Sequence, residues 1–256
     1  MTDELQFRCE DGIALITLNR PQARNAITFD MYDRLAAHCQ QLTESDSLRA
    51  LIITGAGDKA FAAGTDISRF RDFRSGEDAL AYERRIDQVL DALERVPVPT
   101  IAAIRGACTG GGAAIAISCD LRIASPDLRF GFPIARTLGN CLSGASLARV
   151  VSAIGMETAR QLLYTARLMG AEQALSAGFL LAVEADPLAQ AQSLAREMSA
   201  LAPLTLRSIK EGLRRLRAAM PKIDDEDLIR NCYESADFRE GMTAFFDKRP
   251  PDWQGR

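Results

Sequence analysis

The spacing of apolar positions changes along the first half of the chain in a way that predicts alternating strands and helices. Apolar runs flank Asp11-Gly12, a pair that favours a tight hairpin between two strands. Strands are predicted at residues 5–9, 13–18, 50–55 and 100–104. Apolar positions at helical spacing predict one helix from Thr28, with a stripe through Leu42, and a second over residues 76–95.

After about Gly155 the helical spacing dominates the chain. Helices are predicted at residues 171–177, 187–201, 203–219 and 224–247, with a short strand near residues 180–183. Strand and helix alternate earlier in the chain, so the fold class is α/β, with a core over residues 1–185. Residues 186–256 form a helical part that is too thin to hold a core of its own. We expect it to pack on the core or on a neighbouring subunit.

Composition and charge exclude several classes of protein. The chain has 256 residues, a formal net charge of -3 and a pI near 5.4, which provide no broad basic surface for nucleic acid. Six cysteines without a CxxC pair favour reduced thiols and a cytoplasmic location. No targeting peptide is predicted, and no apolar run approaches the roughly 20 residues of a membrane helix. No cluster has metal-ligand spacing, and the single histidine, His38, lies on an apolar stripe.

Two glycine-bearing segments follow strand-like runs and carry the candidate chemistry. Residues 61–66 are Phe-Ala-Ala-Gly-Thr-Asp, and residues 106–112 are Gly-Ala-Cys-Thr-Gly-Gly-Gly. Glycine lets a ligand approach the backbone, so N–H groups from both segments could form an oxyanion hole. The second segment lacks the lysine of a phosphate-binding Walker loop, and Ile115 occupies the third glycine position of a dinucleotide fingerprint. The alternative is that Gly110 and its neighbours only allow a helix to start close to a strand.

Further motifs accompany these segments in a fixed order. The set comprises Asn19-Arg20-Pro21 with Asn25-Ala26, residues 61–66, Gly106-x-x-x-Gly110-Gly111-Gly112, Cys119-Asp120-Leu121-Arg122-Ile123-Ala124, Phe130-Gly131-x-Pro133 and Arg239-Glu240-Gly241-Met242-x-Ala244-Phe245-x-x-Lys248-Arg249-Pro250. Together they resemble the crotonase family, also called the enoyl-CoA hydratase/isomerase family. The resemblance runs from about residue 5 to residue 253.

This resemblance implies a fold, an assembly and a ligand class. The implied fold is a crotonase-like spiral of ββα units with a helical C-terminal trimerisation part. Members commonly assemble as a homo-oligomer, either a trimer or a dimer of trimers. They bind acyl-CoA thioesters, so coenzyme A is expected as part of the substrate and no separate cofactor is expected.

The resemblance also implies roles for particular residues. The backbone N–H groups of Ala63 and Gly111 are expected to bind the thioester oxygen. Phe245 and Lys248 match positions at which a neighbouring subunit helps to cover the bound CoA. The other expected substrate-contacting positions are Ala62, Gly64, Gly110, Ile134, Arg136 and Leu142.

The chain departs from the family at the positions of its acids. Hydratases of the family use two glutamates, and the aligned positions here are Ala114 and Ile134. Some relatives place an aspartate at a third position, which is Leu142. None of these three side chains can carry a proton. General acid–base catalysis contributes roughly a hundredfold to ten-thousandfold, so ordinary water addition is expected to be nearly silent.

Three side chains are candidates to replace the missing acids or to bind substrate, and each has a structural alternative. Cys141, in the polar loop after Ile134, could carry a proton if its pKa were lowered; the alternative is an unperturbed thiol. Asp66 could reach the site, but it could instead cap the helix that follows it. Arg136 could bind a substrate carboxylate, or it could be a solvated arginine or part of a structural ion pair.

Three functions remain open from the residues. The first is an enzyme that holds a thioester enolate while the substrate supplies the proton chemistry, such as a malonyl-type decarboxylase or a lyase. The second is a hydratase or isomerase with a displaced acid such as Asp66 or Cys141. The third is an acyl-CoA binder without catalysis.

Overall fold

Residues 3–256 are described by the computed structural model, which is a mixed α/β fold. The strands are Leu5–Glu10 (β1), Ile13–Leu18 (β2), Ala50–Gly55 (β3), Ala60–Ala63 (β4), Thr100–Ile104 (β5), Ala107–Thr109 (β6), Leu121–Ala124 (β7), Arg129–Gly131 (β8) and Ala182–Val183 (β9). The α-helices are Phe29–Thr43 (α1), Gly76–Arg95 (α2), Gly111–Ser118 (α3), Ile134–Thr137 (α4), Gly144–Ile154 (α5), Met156–Thr165 (α6), Ala171–Ser176 (α7), Pro187–Ser199 (α8), Pro203–Ala218 (α9), Glu226–Tyr233 (α10) and Ala236–Asp247 (α11). Two short 3-10 helices cover Pro21–Ala23 and Ile67–Asp72.

Two sheets are built from successive strand pairs. The larger sheet has the order β1-β2-β3-β5-β7-β9, and the smaller has the order β4-β6-β8. β1 and β2 are antiparallel and turn at Asp11 and Gly12, which both have positive φ, as the Asp-Gly pair predicts. The other pairings are parallel. In the pairs β3–β4, β5–β6 and β7–β8, the first strand joins the larger sheet and the second joins the smaller before a helix follows, which produces the repeated ββα turns of the expected spiral.

Both faces of the inner strands β3 and β5 of the larger sheet are buried, which explains their continuous apolar sequences. Leu51 and Ile53 of β3 face the main core between the sheets and helices. Ala50 and Ile52 face the other way and pack with Ala191 of α8. Although α8 lies beyond residue 185, it therefore covers the sheet rather than projecting away from it.

The C-terminal end contains two helices where the sequence predicts one. Residues 224–247 do not form a continuous helix, because Ser235 is extended and its Oγ accepts a hydrogen bond from the Phe238 N–H at 2.9 Å. This N-cap starts α11 afresh. α10 lies against α2 of the same chain, so the C-terminal part packs on its own core. Across residues 3–256, no helix combines the length and the apolar character needed to cross a membrane.

Candidate active site

The two glycine segments meet at the ends of neighbouring parallel strands. β4 and β6 are paired so that Ala63 lies opposite Thr109, and the chain then enters Gly64 and Gly110. These two glycines have φ values of +106° and +51°, a region that side chains with a Cβ rarely adopt. The glycines therefore allow both segments to turn at the same edge of the smaller sheet.

Gly111 is the first residue of α3 and lies in a crowded position. A Cβ atom added there would lie 2.0 Å from Tyr32 Oη and 2.8 Å from Thr65 Oγ1. A Cβ added at Gly110 would lie 3.5 Å from the Cα of Gly64. The backbone of residues 64–65 thus lies directly beside the N-terminus of α3, where N–H groups have no partner within the helix.

The backbone hydrogen bonds show that one of the two expected donors is already occupied. The Ala63 N–H donates to the Arg24 carbonyl at 3.0 Å, so it is not free to bind a ligand. Among residues 3–256, the N–H groups of Thr65 and Gly111 have no acceptor. Of the two expected donors, the Ala63 N–H is therefore occupied and the Gly111 N–H is free; in the first segment the N–H of Thr65 is free as well.

A neighbouring segment determines the direction of the Thr65 backbone. The Ile27 N–H donates to the Gly64 carbonyl at 2.9 Å, and the Asp66 N–H donates to the Ile27 carbonyl at 2.8 Å. These bonds form a parallel bridge between Ile27 and Thr65. In this bridge Gly64 and Asp66, on either side of Thr65, make the hydrogen bonds to Ile27. The N–H of Thr65 itself therefore points away from Ile27.

Side-chain hydroxyls hold the Thr65 side chain from two helices. Thr65 Oγ1 lies 2.9 Å from Tyr32 Oη of α1 and 3.1 Å from Tyr82 Oη of α2. Burial raises the pKa of both tyrosines above the ordinary value. Both phenols are therefore neutral at physiological pH, and they brace this junction through neutral hydrogen bonds.

The three positions at which the resemblance implies acids all carry apolar side chains. Ala114 of α3, Ile134 of α4 and Leu142 are all half-buried. Ala114 and Leu142 pack against the main core. The three side chains are therefore partly buried, and none of them can carry a proton.

Asp66 has a structural role in this fold. Its Oδ1 accepts a hydrogen bond from the Ser68 N–H at 3.2 Å, which caps the 3-10 helix Ile67–Asp72. Its Oδ2 lies 3.0 Å from Arg20 Nη1. Partial burial opposes ionisation, but the hydrogen bonds from Ser68 and Arg20 outweigh it and lower the pKa of Asp66. A carboxylate held ionised in this way is a poor proton carrier, so the structure favours the capping alternative.

The thiol of Cys141 is also unsuited to proton transfer. Its Sγ lies 3.8 Å from the Leu228 carbonyl, to which the thiol donates. Hydrogen bonding with Cys232 and burial both raise the pKa of Cys141, so the thiol stays protonated. Arg136 is exposed on α4 and has no ion-pair partner in the described part of the chain. It is a solvated arginine in this structure.

The remaining expected contact residues are split between the core and the surface. Ala62 is fully buried in β4, next to the glycine junction. Phe245 on α11 is 52% exposed, and Lys248, which ends that helix, is also exposed. Neither of these two side chains lies at the junction of its own chain.

Sequence reasoning missed one acidic side chain near the loop that contains Leu142. Glu83 lies on the buried stripe of α2 and is only 5% exposed. The Tyr233 hydroxyl donates to Glu83 Oε1 at 2.6 Å. Burial raises the pKa of Glu83 to about 7. The available signal was a charged residue on an apolar helical stripe, because an acid at such a position must be paired or shifted in pKa.

Known proteins with similar sequences and structures define the family. The family model described as enoyl-CoA hydratase/isomerase matches residues 8–256. A probable enoyl-CoA hydratase of Mycobacterium leprae, echA6, is 34% identical over 253 residues, which cover 96% of this chain and 97% of the relative. The chain belongs to the enoyl-CoA hydratase/isomerase family, and the family is one of enzymes.

Solved structures of two relatives extend the comparison to the fold. An enoyl-CoA hydratase/carnithine racemase from Magnetospirillum magneticum is 33% identical and matches with a TM-score of 0.81, covering 100% of this chain and 97% of that chain. A methylmalonyl-CoA decarboxylase in complex with 2-nitronate-propionyl-CoA is 28% identical and matches with a TM-score of 0.89 over 99% of each chain. The fold is therefore the crotonase fold expected from the motifs.

Proposed function

We propose that this protein binds acyl-CoA thioesters and stabilises their enolates with the backbone N–H groups of Thr65 and Gly111. The observation that carries this proposal is the pair of unpartnered N–H groups at adjacent strand ends. A thioester oxygen gains negative charge as the enolate forms, so fixed donors stabilise the transition state more than the ground state. Each donor of this kind contributes roughly 2.7–4 kcal/mol.

Ordinary hydration is not the reaction we favour. Two carboxyl groups are absent at Ala114 and Ile134, and Leu142 provides no substitute. Addition of water to an enoyl group requires a base to activate the water and an acid to protonate the α-carbon. Oxyanion stabilisation without these groups leaves most of the hydration barrier in place.

Decarboxylation of a malonyl-type thioester is the second candidate. The carboxylate leaves as carbon dioxide, its bonding electrons form the enolate, and the enolate then takes one proton. The first of these steps needs no protein base, which suits a junction without carboxyl groups. A methylmalonyl-CoA decarboxylase is also among the solved structures that share this fold, at 28% identity.

Assembly into a homo-oligomer is part of the proposal. Helix α9 carries three exposed apolar side chains at helical spacing: Ile209, Leu213 and Leu216, exposed by 55%, 62% and 72%. A stripe of this kind is costly in water, and a second copy of the chain would cover it. Phe245 and Lys248, which are exposed on α11 and at its end, would then be available to a neighbouring subunit's CoA. We place this assembly in the cytoplasm, with CoA supplied by the substrate and no other cofactor.

The test is mass spectrometry of acyl-CoA thioesters incubated with the protein in heavy water. The set includes crotonyl-CoA, malonyl-CoA, methylmalonyl-CoA and butyryl-CoA. Loss of carbon dioxide would support decarboxylation, and deuterium uptake alone would support enolate formation followed by reprotonation. Gain of water at a normal rate would contradict the importance of the missing acids. If the protein neither bound nor converted any of these thioesters, the proposal would be overturned.

A further inference from the structure

The buried carboxyl group of Glu83 is connected to the loop that follows α4. Tyr233 Oη donates to Glu83 Oε1, and Asn140 Nδ2 donates to Tyr233 Oη at 3.2 Å. Residue 140 precedes Cys141 and Leu142 in the loop expected to line the acyl pocket. The three polar side chains therefore form a continuous hydrogen-bond chain from α2, through α10, to the loop.

The Asn140 end of this series of hydrogen bonds has an acceptor without a partner. Asn140 Oδ1 is buried and has no hydrogen-bond partner within residues 3–256. An unpaired buried carbonyl oxygen costs roughly 1–3 kcal/mol, so such an atom is ordinarily paired with protein, water or ligand. The unpaired oxygen indicates a place for a hydrogen-bond donor beside Tyr233.

Tyr233 also borders a cavity between the 3-10 helix at Ile67–Asp72 and the C-terminal helices. The cavity has a volume of about 410 Å³, and its wall includes Phe70, Phe73, Tyr233, Phe238 and Met242. The ring of Phe70 lies edge-on to Tyr82, with centroids 4.8 Å apart. Tyr82 in turn bonds to the Thr65 side chain. Ring contacts thus connect Tyr233, through Phe70, to the tyrosine that holds the Thr65 side chain at the glycine junction.

We propose that Glu83, acting through the Tyr233 hydroxyl, adds a proton to the enolate carbon of the bound thioester or removes one from the acyl group. This inference rests on the proposed function, because it assumes that an acyl-CoA occupies the site. Glu83 acts here as a positioning and proton-storing residue, and Tyr233 is the group that faces the cavity.

The proton transfer is balanced over the two side chains. A proton from the acyl group or from a water in the cavity moves to Tyr233 Oη as the phenol proton moves to the Glu83 carboxylate. The phenol is unchanged, the carboxylate becomes a carboxylic acid, and the electron pair remains on the substrate. Run in reverse, the same step protonates the enolate left by decarboxylation.

The charged groups around Glu83 allow its carboxyl group both to accept and to release a proton. Burial, Asp87 of α2 and Asp225 before α10 raise the pKa of Glu83, whereas the hydrogen bond from Tyr233 and one from the Ser143 backbone lower it. Tyr82, Tyr233 and Cys141 nearby are all held in their neutral forms by raised pKa values. The nearby cation, Arg149 of α5, is bound to Asp87, Asp91 and Glu94. With a pKa of about 7, Glu83 populates both protonation states at neutral pH, the condition for efficient acid–base catalysis.

The experiment measures deuterium uptake from heavy water into butyryl-CoA as a function of pH, together with butyryl-CoA binding by calorimetry. We expect wild-type uptake to rise through an inflection near pH 7, because the ionised carboxylate accepts the proton. Glu83→Gln is expected to remove the inflection and slow uptake by at least about a hundredfold. Binding is expected to stay within about threefold, because the oxyanion donors are unchanged. Tyr233→Phe is expected to slow uptake to the same extent, and it provides an independent test if Glu83→Gln fails to fold.

Glu94→Gln is the matched control, since it also removes a buried carboxylate from α2 but one paired with Arg149 and Arg217. It is expected to lower stability and keep the inflection. An inflection that persists in Glu83→Gln, or normal uptake in Tyr233→Phe, would overturn the inference and leave the proposed function intact. Wild-type binding without any uptake would also overturn the inference. Failure of the wild type to bind any acyl-CoA would overturn the proposed function itself.

Discussion

Two regions of the molecule are built from different parts of the chain. One is the glycine junction, and the other, the acyl wall, is formed by side chains of α2, α10 and the loop at residues 138–143. At the junction, the proposed ligand groups are backbone N–H groups of Thr65 and Gly111, whose direction depends on strand pairing and a helix start. At the wall, the proposed proton chemistry depends on side chains, above all the Glu83–Tyr233 pair. A backbone site tolerates side-chain change, whereas a side-chain site changes its chemistry with each substitution. The same fold can therefore keep enolate binding and exchange its acids.

The largest effect is expected from a substitution that blocks the glycine junction. Gly111→Val places side-chain atoms where Tyr32 Oη and Thr65 Oγ1 already lie. We expect turnover or deuterium uptake to be abolished, since loss of one oxyanion donor alone costs roughly a hundredfold to a thousandfold. Gly170→Val is the control, because an added Cβ there meets no atom within 4 Å. Unchanged turnover in Gly111→Val would reject Gly111 as a donor.

Restoring the acids is the second test, and it leaves the backbone donors of the junction unchanged. Ala114→Glu combined with Ile134→Glu is expected to raise hydration of crotonyl-CoA by about a hundredfold or more over the parent. Hydration is followed by the loss of enoyl absorbance, with each single variant as a control. A parent that already hydrates crotonyl-CoA at a normal rate would show that these two positions do not decide the reaction.

A subtler test separates the side chain of Thr65 from its backbone. Thr65→Val keeps the N–H group and the side-chain shape but removes the hydroxyl between Tyr32 and Tyr82. We expect unfolding in denaturant to show a loss of about 1–3 kcal/mol, because the buried Tyr32 hydroxyl loses its partner. Turnover is expected to change by less than tenfold. A larger loss of turnover would assign the hydroxyl itself to the chemistry.

Asp66→Asn should produce the smallest effect. Asparagine is also a good cap, so only the ion pair with Arg20 is lost, at a cost of about 1 kcal/mol or less. Turnover is expected to be unchanged from pH 6 to pH 8, because Asp66 is ionised throughout this range. A pH-dependent loss of turnover would return Asp66 to the list of proton carriers.

The positions of most strands and helices could be predicted from local patterns. Residues 13–18, 50–55 and 76–95 were assigned correctly because each has a clear period or a continuous apolar run and clear breakers. The division between α10 and α11 was missed, since Ser235 interrupts the helix without a glycine or proline. The short strands β4, β6 and β8 are paired through contacts distant in sequence, and local patterns carry little information about such pairing.

The sequence by itself determined the family, the glycine segments and the absence of acids at Ala114, Ile134 and Leu142, because motifs and side-chain identities are properties of the chain. Only the tertiary structure decided that the Ala63 N–H is bound to Arg24, and that Thr65 lies beside Gly111. It alone brought Glu83 and Tyr233 together, from helices far apart in sequence. The physical reason is that the direction of an N–H group and the ionisation of a buried acid depend on neighbours that only folding brings into contact.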